Sequence, residues 1–202
     1  TYGNSPKGGD SMDERYSLSI ERENIYIKAP AIEGLYRGIA TLTQIVAQNA
    51  TPAENGKLYL PILEVKDAPR FAWRGLSLDV SRCFFTVEEV KQVIDLLALY
   101  KMNVLHMHLS DNQGWRIEIK AYPNLAEVGG QIPNDGKPGG YYTQEQFKEL
   151  VRYAAERQVT IIPEVDLPYE GRLCGLSGAD QCGEAETGCQ FCRSGVERSR
   201  RG

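Results

Sequence analysis

Three apolar runs in this sequence each turn acidic or basic at their carboxyl end, where a strand could present chemistry. Gly75-Leu76-Ser77-Leu78-Asp79-Val80 runs into Asp79 and then Arg82. Asn103-Val104-Leu105-His106-Met107-His108-Leu109 leads to His108 and Asp111, and Val159-Thr160-Ile161-Ile162 leads to Glu164 and Asp166. Carboxylates and imidazoles brought together can act as general acids and bases or stabilise developing charge. Glu164 and Asp166 lie two apart and would share one face of a strand. Two inward carboxylates are costly unless paired or hydrogen-bonded, which assigns Asp166 to a site and Glu164 to a structural role. His106 and His108 alternate with apolar residues, and the expectation is that one faces the interior and the other the helix layer. His-x-His is also a metal-ligand spacing, but the sequence offers no third ligand, so neither metal nor other cofactor is expected. Asp111, within Ser110-Asp111-Asn112-Gln113-Gly114, has the setting of a turn residue as well.

The elements that must position these groups follow from periodicity. Thr86 with Glu89, and Thr143 with Gln146, have capping-box spacing and open helices with apolar faces Val90 to Leu99 and Phe147 to Ala154. The order strand, helix, strand, helix, strand implies a parallel sheet with crossover helices. An open doubly wound sheet and a (β/α)8 barrel both begin this way, and both place ligand-facing residues at the carboxyl ends of strands. Ahead of Asp67-Ala68-Pro69-Arg70, alternation marks strands at Tyr16 to Ile20 and Ile25 to Ala29, then a helix through Leu35 to Val46. One extended segment, Leu58 to Val65, completes a small α+β layer. Trp115-Arg116-Ile117-Glu118-Ile119 alternates and suits a hairpin on a long loop.

The chain has 202 residues, enough for one or two domains. A formal charge of −4 gives no basic face for nucleic acid, and no apolar run reaches the ~20 residues of a membrane span. Thr1 to Asp10 lack the charged start and apolar stretch of a secretory signal, and there is no initiator Met; the chain is expected to begin inside a longer protein. Four of the five cysteines, Cys174, Cys182, Cys189 and Cys192, crowd the tail. Seven residues separate the first two, wider than the two to four typical of a zinc site.

At this point the sequence resembles a known family. Pro69-Arg70-Phe71-Ala72-Trp73-Arg74-Gly75-Leu76-Ser77-Leu78-Asp79-Val80-Ser81-Arg82 is similar to the opening barrel strand of the family-20 β-N-acetylhexosaminidases. Asn103 to Arg116 is similar to the second strand and its loop. Tyr141-Tyr142-Thr143-Gln144 and Ile162-Pro163-Glu164-Val165-Asp166-Leu167-Pro168 are similar to the second helix and third strand. Residues 14–66 resemble, more weakly, the small domain that precedes the barrel. The resemblance implies a partial α+β domain at 1–66 and the first three βα steps of a (β/α)8 TIM barrel at 67–168. It implies an enzyme that releases terminal N-acetylglucosamine or N-acetylgalactosamine from glycans, with retention. The substrate's acetamido oxygen is then the nucleophile, the recorded exception to the usual carboxylate. It implies that Arg74 binds sugar hydroxyls through its planar fork, that Asp111 and Asp166 are supporting carboxylates, and that His108 belongs to the same layer. It sets no oligomeric state, and places such an enzyme in the periplasm, outside the cell or in the lysosome.

The family's catalytic Asp-Glu pair follows the fourth barrel strand. The only Asp-Glu dipeptide here is Asp13-Glu14, near the start and far from any expected strand end. The chain is therefore expected to be inactive by itself. After Pro168 the family's Pro-Gly-His gives way to Tyr169-Glu170, and residues 169–202 are read as a disordered or out-of-frame tail. Two other readings stay open: a non-catalytic carbohydrate-binding module, and an unrelated doubly wound enzyme. The second would want a Gly-rich phosphate loop, which none of the three strands is followed by.

Overall fold

The computed structural model describes residues 13–49, 51–52, 58–131 and 138–166. The expectations for the first residues, the tail and its cysteine cluster lie outside them. In chain order the elements are β1 (Tyr16–Ile20), β2 (Ile25–Lys28), α1 (Ile32–Asn49), β3 (Thr51–Pro52), β4 (Leu58–Tyr59), β5 (Leu63–Asp67) and β6 (Gly75–Asp79). They continue as α2 (Val87–Leu99), β7 (Val104–His108), β8 (Ser110–Asp111), β9 (Gly114–Trp115), α3 (Pro123–Glu127), α4 (Gln144–Ala155) and β10 (Thr160–Glu164). The chain divides into two compact units. One comprises Thr1–Leu76, Lys91–Leu105 and Arg152–Ile161; the other comprises Ser77–Val90, His106–Val151 and Ile162–Gly202.

In the first unit an antiparallel sheet runs β2-β1-β5. Tyr16, Leu18 and Ile20 are buried and alternate with half-buried Ser17 and Ser19, the period of two that the sequence carried. Ile27, Leu42, Ile45, Leu63 and Val65 pack against them. The segment expected to be one strand from Leu58 to Val65 is two, β4 paired with β3 and β5 paired with β1. Pro61 lies between them and has no N–H to give a ladder. Helix α1 comes close to β1 at Gly34, where an added Cβ would lie 2.2 Å from the Arg15 carbonyl oxygen. That oxygen is backbone and cannot swing aside. Gly34→Ala is expected to lose ~1–3 kcal/mol, the usual cost of overpacking; urea unfolding followed by circular dichroism measures it, and an unchanged midpoint would contradict the close approach.

A second three-stranded sheet has the order β10-β7-β6. Its strands are parallel. The residues entering them bond together, Asn103 N–H to Arg74 O (2.9 Å) and Thr160 N–H to Asn103 O (2.9 Å). So do those leaving them, Val80 N–H to His108 O (3.2 Å) and Leu109 N–H to Glu164 O (2.9 Å). This is the α/β arrangement expected from the strand–helix–strand order. Both capping boxes form. Glu89 N–H donates to Thr86 Oγ1 (3.3 Å) while Thr86 N–H donates to Glu89 Oε2 (2.7 Å). Gln146 N–H and Thr143 Oγ1 (3.1 Å) make the second box, with Thr143 N–H returning to Gln146 Oε1 (2.9 Å). Among the described residues no helix is long and apolar enough to cross a membrane.

The alternation at Trp115 to Ile119 does not give the strand it suggested. Only Gly114 and Trp115 pair, with Asp111 and Ser110, in a tight hairpin around Asn112-Gln113. Beyond them Ile117 makes one isolated parallel bridge to Tyr142, and Arg116 turns into the interior.

Candidate active site

The polar groups at the carboxyl ends of β6, β7 and β10 converge within the second unit. Asp79 closes the turn after β6: its Oδ1 accepts the N–H groups of Ser81 and Arg82, each at 3.0 Å, and its Oδ2 pairs with the Arg82 guanidinium. The other arm of Arg82 reaches Asp111 Oδ2 at 2.5 Å across the β8–β9 hairpin. The Arg82 side chain remains 52% exposed. Asp111 Oδ2 also meets His108 Nε2 at 3.1 Å, and Asp111 Oδ1 accepts the Asn112 amide at 2.6 Å. His108 Nδ1 meets Glu164 Oε2 at 3.0 Å, and His106 Nε2 meets the same oxygen at 2.8 Å. Asp166 is exposed at the end of the run, and its carbonyl accepts the Ser110 hydroxyl at 3.1 Å.

The two histidines therefore share one face and are not split between interior and helix layer. They lie two apart on a strand, and a period of two puts such residues on the same side. The structure does not complete a site on the His-x-His pair; it brings His108, without His106, to Glu164 and Asp166, whose donor atoms lie within 4.8 Å of one another. Both His108 nitrogens are already held by carboxylates, so a cation there would have to displace an ion pair. Asp166 makes no bond to either histidine; Glu164, read as structural, is what holds them.

The charges are tuned by this packing. Burial alone would lower the His108 value, but its bonds to Asp111 and Glu164 outweigh burial and raise it. The Asn112 amide, with His108 and Arg82, holds the Asp111 carboxyl below its usual range against burial. Burial would lift Asp79, and the Arg82 amide and guanidinium overcome it. His108 thus favours folding in its protonated form. That stabilisation is full below the unfolded value near 6.5 and fades as pH rises through the folded midpoint. The stabilisation from Asp79 and Asp111 is present above ~3.9 and is lost as pH falls through their folded midpoints. The chain has two histidines, so proton NMR resolves them readily. The His108 midpoint is expected above 6.5 and should fall in Asp111→Asn; an unmoved midpoint would mean that the pair does not form.

Arg116 holds the loops that carry these groups, and sequence reasoning passed over it. It is fully buried. Its Nε donates to Val80 O (3.1 Å) and Ser81 O (3.3 Å), and Nη2 donates to Ser81 O (2.9 Å). Nη1 donates to Gly130 O (2.6 Å) and Gly140 O (3.0 Å). Ser81 Oγ in turn donates to Gly114 O at 2.7 Å. A Cβ on Gly114 would lie 2.5 Å from the guanidinium, so the glycine makes room for it.

Arg74 is not in this cluster. It precedes β6 at the strand's amino end, and its side chain is engaged in the first unit. Nε donates to Lys101 O (2.9 Å), Nη1 to Phe71 O (2.7 Å) and Nη2 to Glu14 Oε1 (2.7 Å). This placement lends no support to the sugar-binding role expected of Arg74, since ligand groups of parallel α/β sheets gather at carboxyl ends. Arg82 is the arginine at that end. The signal was present in the sequence, in the rule that polar residues following a strand face the ligand. Glu14, near the start of the chain, is 96% buried and pairs with both Arg37 (2.6 Å) and Arg74.

The profile described as "Glycosyl hydrolase family 20, catalytic domain" matches residues 71–175, and "Glycosyl hydrolase family 20, domain 2" matches residues 4–68. A β-N-acetylhexosaminidase of Cellulomonas fimi is 44% identical over 156 residues, 77% of this chain and 31% of the relative. The solved structure of the Streptomyces coelicolor GH20 β-N-acetylhexosaminidase is similar with a TM-score of 0.70 and 44% identity, covering 83% of this chain and 33% of that one. A mutant Streptomyces plicatus β-hexosaminidase in complex with the product GlcNAc has a TM-score of 0.70 and 46% identity, over 80% of this chain and 33% of its own. The chain spans about a third of the length of these relatives.

Proposed function

The chain belongs to glycosyl hydrolase family 20, and from that premise we propose that it is the amino-terminal part of a β-N-acetylhexosaminidase. In this reading β1 to β5 with α1 belong to the domain that precedes the barrel, and β6, β7 and β10 are the first three strands of a (β/α)8 barrel. Barrels of this kind need ~250 residues and eight strands to close. The substrate class is glycans ending in N-acetylglucosamine or N-acetylgalactosamine, hydrolysed with retention by the substrate's own acetamido group. Such glycans place the enzyme in the periplasm, outside the cell or in the lysosome.

One observation carries the reading: Asp79, Arg82, His108, Asp111 and Glu164 form a connected polar cluster at the carboxyl ends of three neighbouring parallel strands. Arg82, half exposed and pinned from behind by two carboxylates, presents a planar fork suited to a pair of sugar hydroxyls. Asp111 fixes Arg82 and His108 together, Glu164 fixes His108, and Asp166 extends the acidic rim. The acid and its partner carboxylate are not among these groups. The chain's one Asp-Glu dipeptide includes Glu14, which is spent on two arginines in the first unit. The chain alone is one wall of a pocket: it binds sugar weakly and does not cleave it.

Titration of the 202-residue chain with N-acetylglucosamine tests this, read at the Arg82 side-chain Nε and Asn112 backbone amide resonances. Both are expected to move, the response to vanish in Arg82→Lys and to survive in Arg74→Lys. A response that follows Arg74, or none at Arg82 and Asn112, would overturn the assignment. Release of product from an aryl N-acetylglucosaminide by the pure chain would overturn its inactivity.

A further inference from the structure

The first unit holds a cavity of about 160 Å³ beside the residues that enter β6 and β7, far smaller than the ~300–1,000 Å³ of a drug-sized ligand site. Its charged lining is Arg37, Arg74 and Lys101 against Glu14 and Asp67, three cations to two carboxylates. Both carboxylates are heavily used. Glu14 Oε1 accepts from Arg37 Nε (2.6 Å) and Arg74 Nη2 (2.7 Å), and Glu14 Oε2 is approached by Asn103 Nδ2 at 3.4 Å. Asp67 Oδ2 accepts from Lys101 Nζ (2.9 Å) and the Tyr16 hydroxyl (2.9 Å). Within the lining one positive charge is left over; Glu33, outside the lining, also acts on Arg37.

Arg37 locates it. The residue is 97% buried, with Nε on Glu14 and Nη2 donating to Gln158 O at 2.8 Å. Its Nη1 makes no hydrogen bond among the described residues. No fully buried side-chain nitrogen or oxygen among them lacks a partner, so Nη1 is not sealed off, and Arg37 lines the cavity. A buried guanidinium with an N–H edge outside its hydrogen bonds, beside a second guanidinium that shares the carboxylate it is bonded to, is matched by a planar oxyanion. The surplus of one charge selects a monovalent ion, and the volume selects one of few atoms.

We propose that this cavity is a binding site for a small monovalent carboxylate. Acetate is the probe. The 202-residue chain is titrated with acetate while ionic strength is held by sodium HEPES, whose ring is too large for the space. The Nε resonances of Arg37 and Arg74 are expected to shift saturably, several-fold more than that of the exposed Arg22. In Lys101→Met, which brings the lining to two cations against two carboxylates, half-saturation should need at least tenfold more acetate. Shifts that do not saturate, or that are equal at Arg22, report a general ionic effect and overturn the site. An unchanged half-saturation in Lys101→Met overturns it as well, because charge would then not be what holds the ion. The wild-type titration decides the matter even if the variant fails to fold.

Discussion

Arg116→Met is expected to destabilise the chain by ~4 kcal/mol, as a fall in the urea midpoint followed by circular dichroism. The guanidinium donates to four carbonyls, those of Val80 and Ser81 after β6 and those of Gly130 and Gly140 in the connection between α3 and α4. Each buried carbonyl left without a donor costs ~1–3 kcal/mol, and partial relaxation toward water keeps the sum below four full penalties. Burial already pulls the Arg116 value below its ordinary level, a sign of how much these dipoles must compensate. Lysine is not a substitute. Its three donors radiate from one atom and cannot span loops held by the Nε, Nη1 and Nη2 positions of a flat fork. Arg116→Lys should therefore recover less than half of the loss. The variants also report on the candidate site. The loop at Val80 and Ser81 carries Arg82, and if it is released the His108 midpoint should move back toward 6.5. A wild-type urea midpoint in Arg116→Met would refute the clamp.

The second large effect is expected at Glu14. It is 4% exposed and carries the buried Arg37 and the partly buried Arg74 on one oxygen. Glu14→Leu leaves Arg37 charged and 97% buried with its counter-charge gone, a change that typically costs ~3–5 kcal/mol. Against a total stability of ~5–15 kcal/mol this is a large fraction. The penalty belongs to the stranded charge and not to the net worth of the pair. Glu14→Leu combined with Arg37→Met should therefore be more stable than Glu14→Leu alone, the reverse of what independent sites would give. Additive losses in the double variant would show that the two side chains are not coupled.

Much of this protein could be read from its residues in order. Alternation in Tyr16 to Ile20, two capping boxes and the order strand, helix, strand each depend on neighbours a few positions apart. Local geometry of that kind survives folding unchanged. Pro61 divided a strand that alternation alone had joined, and that too was a local signal left unused. The gathering of polar groups at three strand ends also followed from sequence, because parallel strands bring their carboxyl ends together whatever the loops do.

The choice between Arg74 and Arg82 needed the tertiary structure. The two flank one five-residue strand, one before its first residue and the other in the turn after its last. A motif that contains both cannot say which end meets the ligand. Arg116 was illegible for a different reason. In Trp115-Arg116-Ile117-Glu118 it occupies what reads as the polar face of a strand. Its partners lie up to 36 residues away, at Val80, Gly130 and Gly140. Periodicity reports which side of an element a residue takes. It does not report what the chain will later bring to that side, and a buried arginine is stable only where distant carbonyls arrive to meet it.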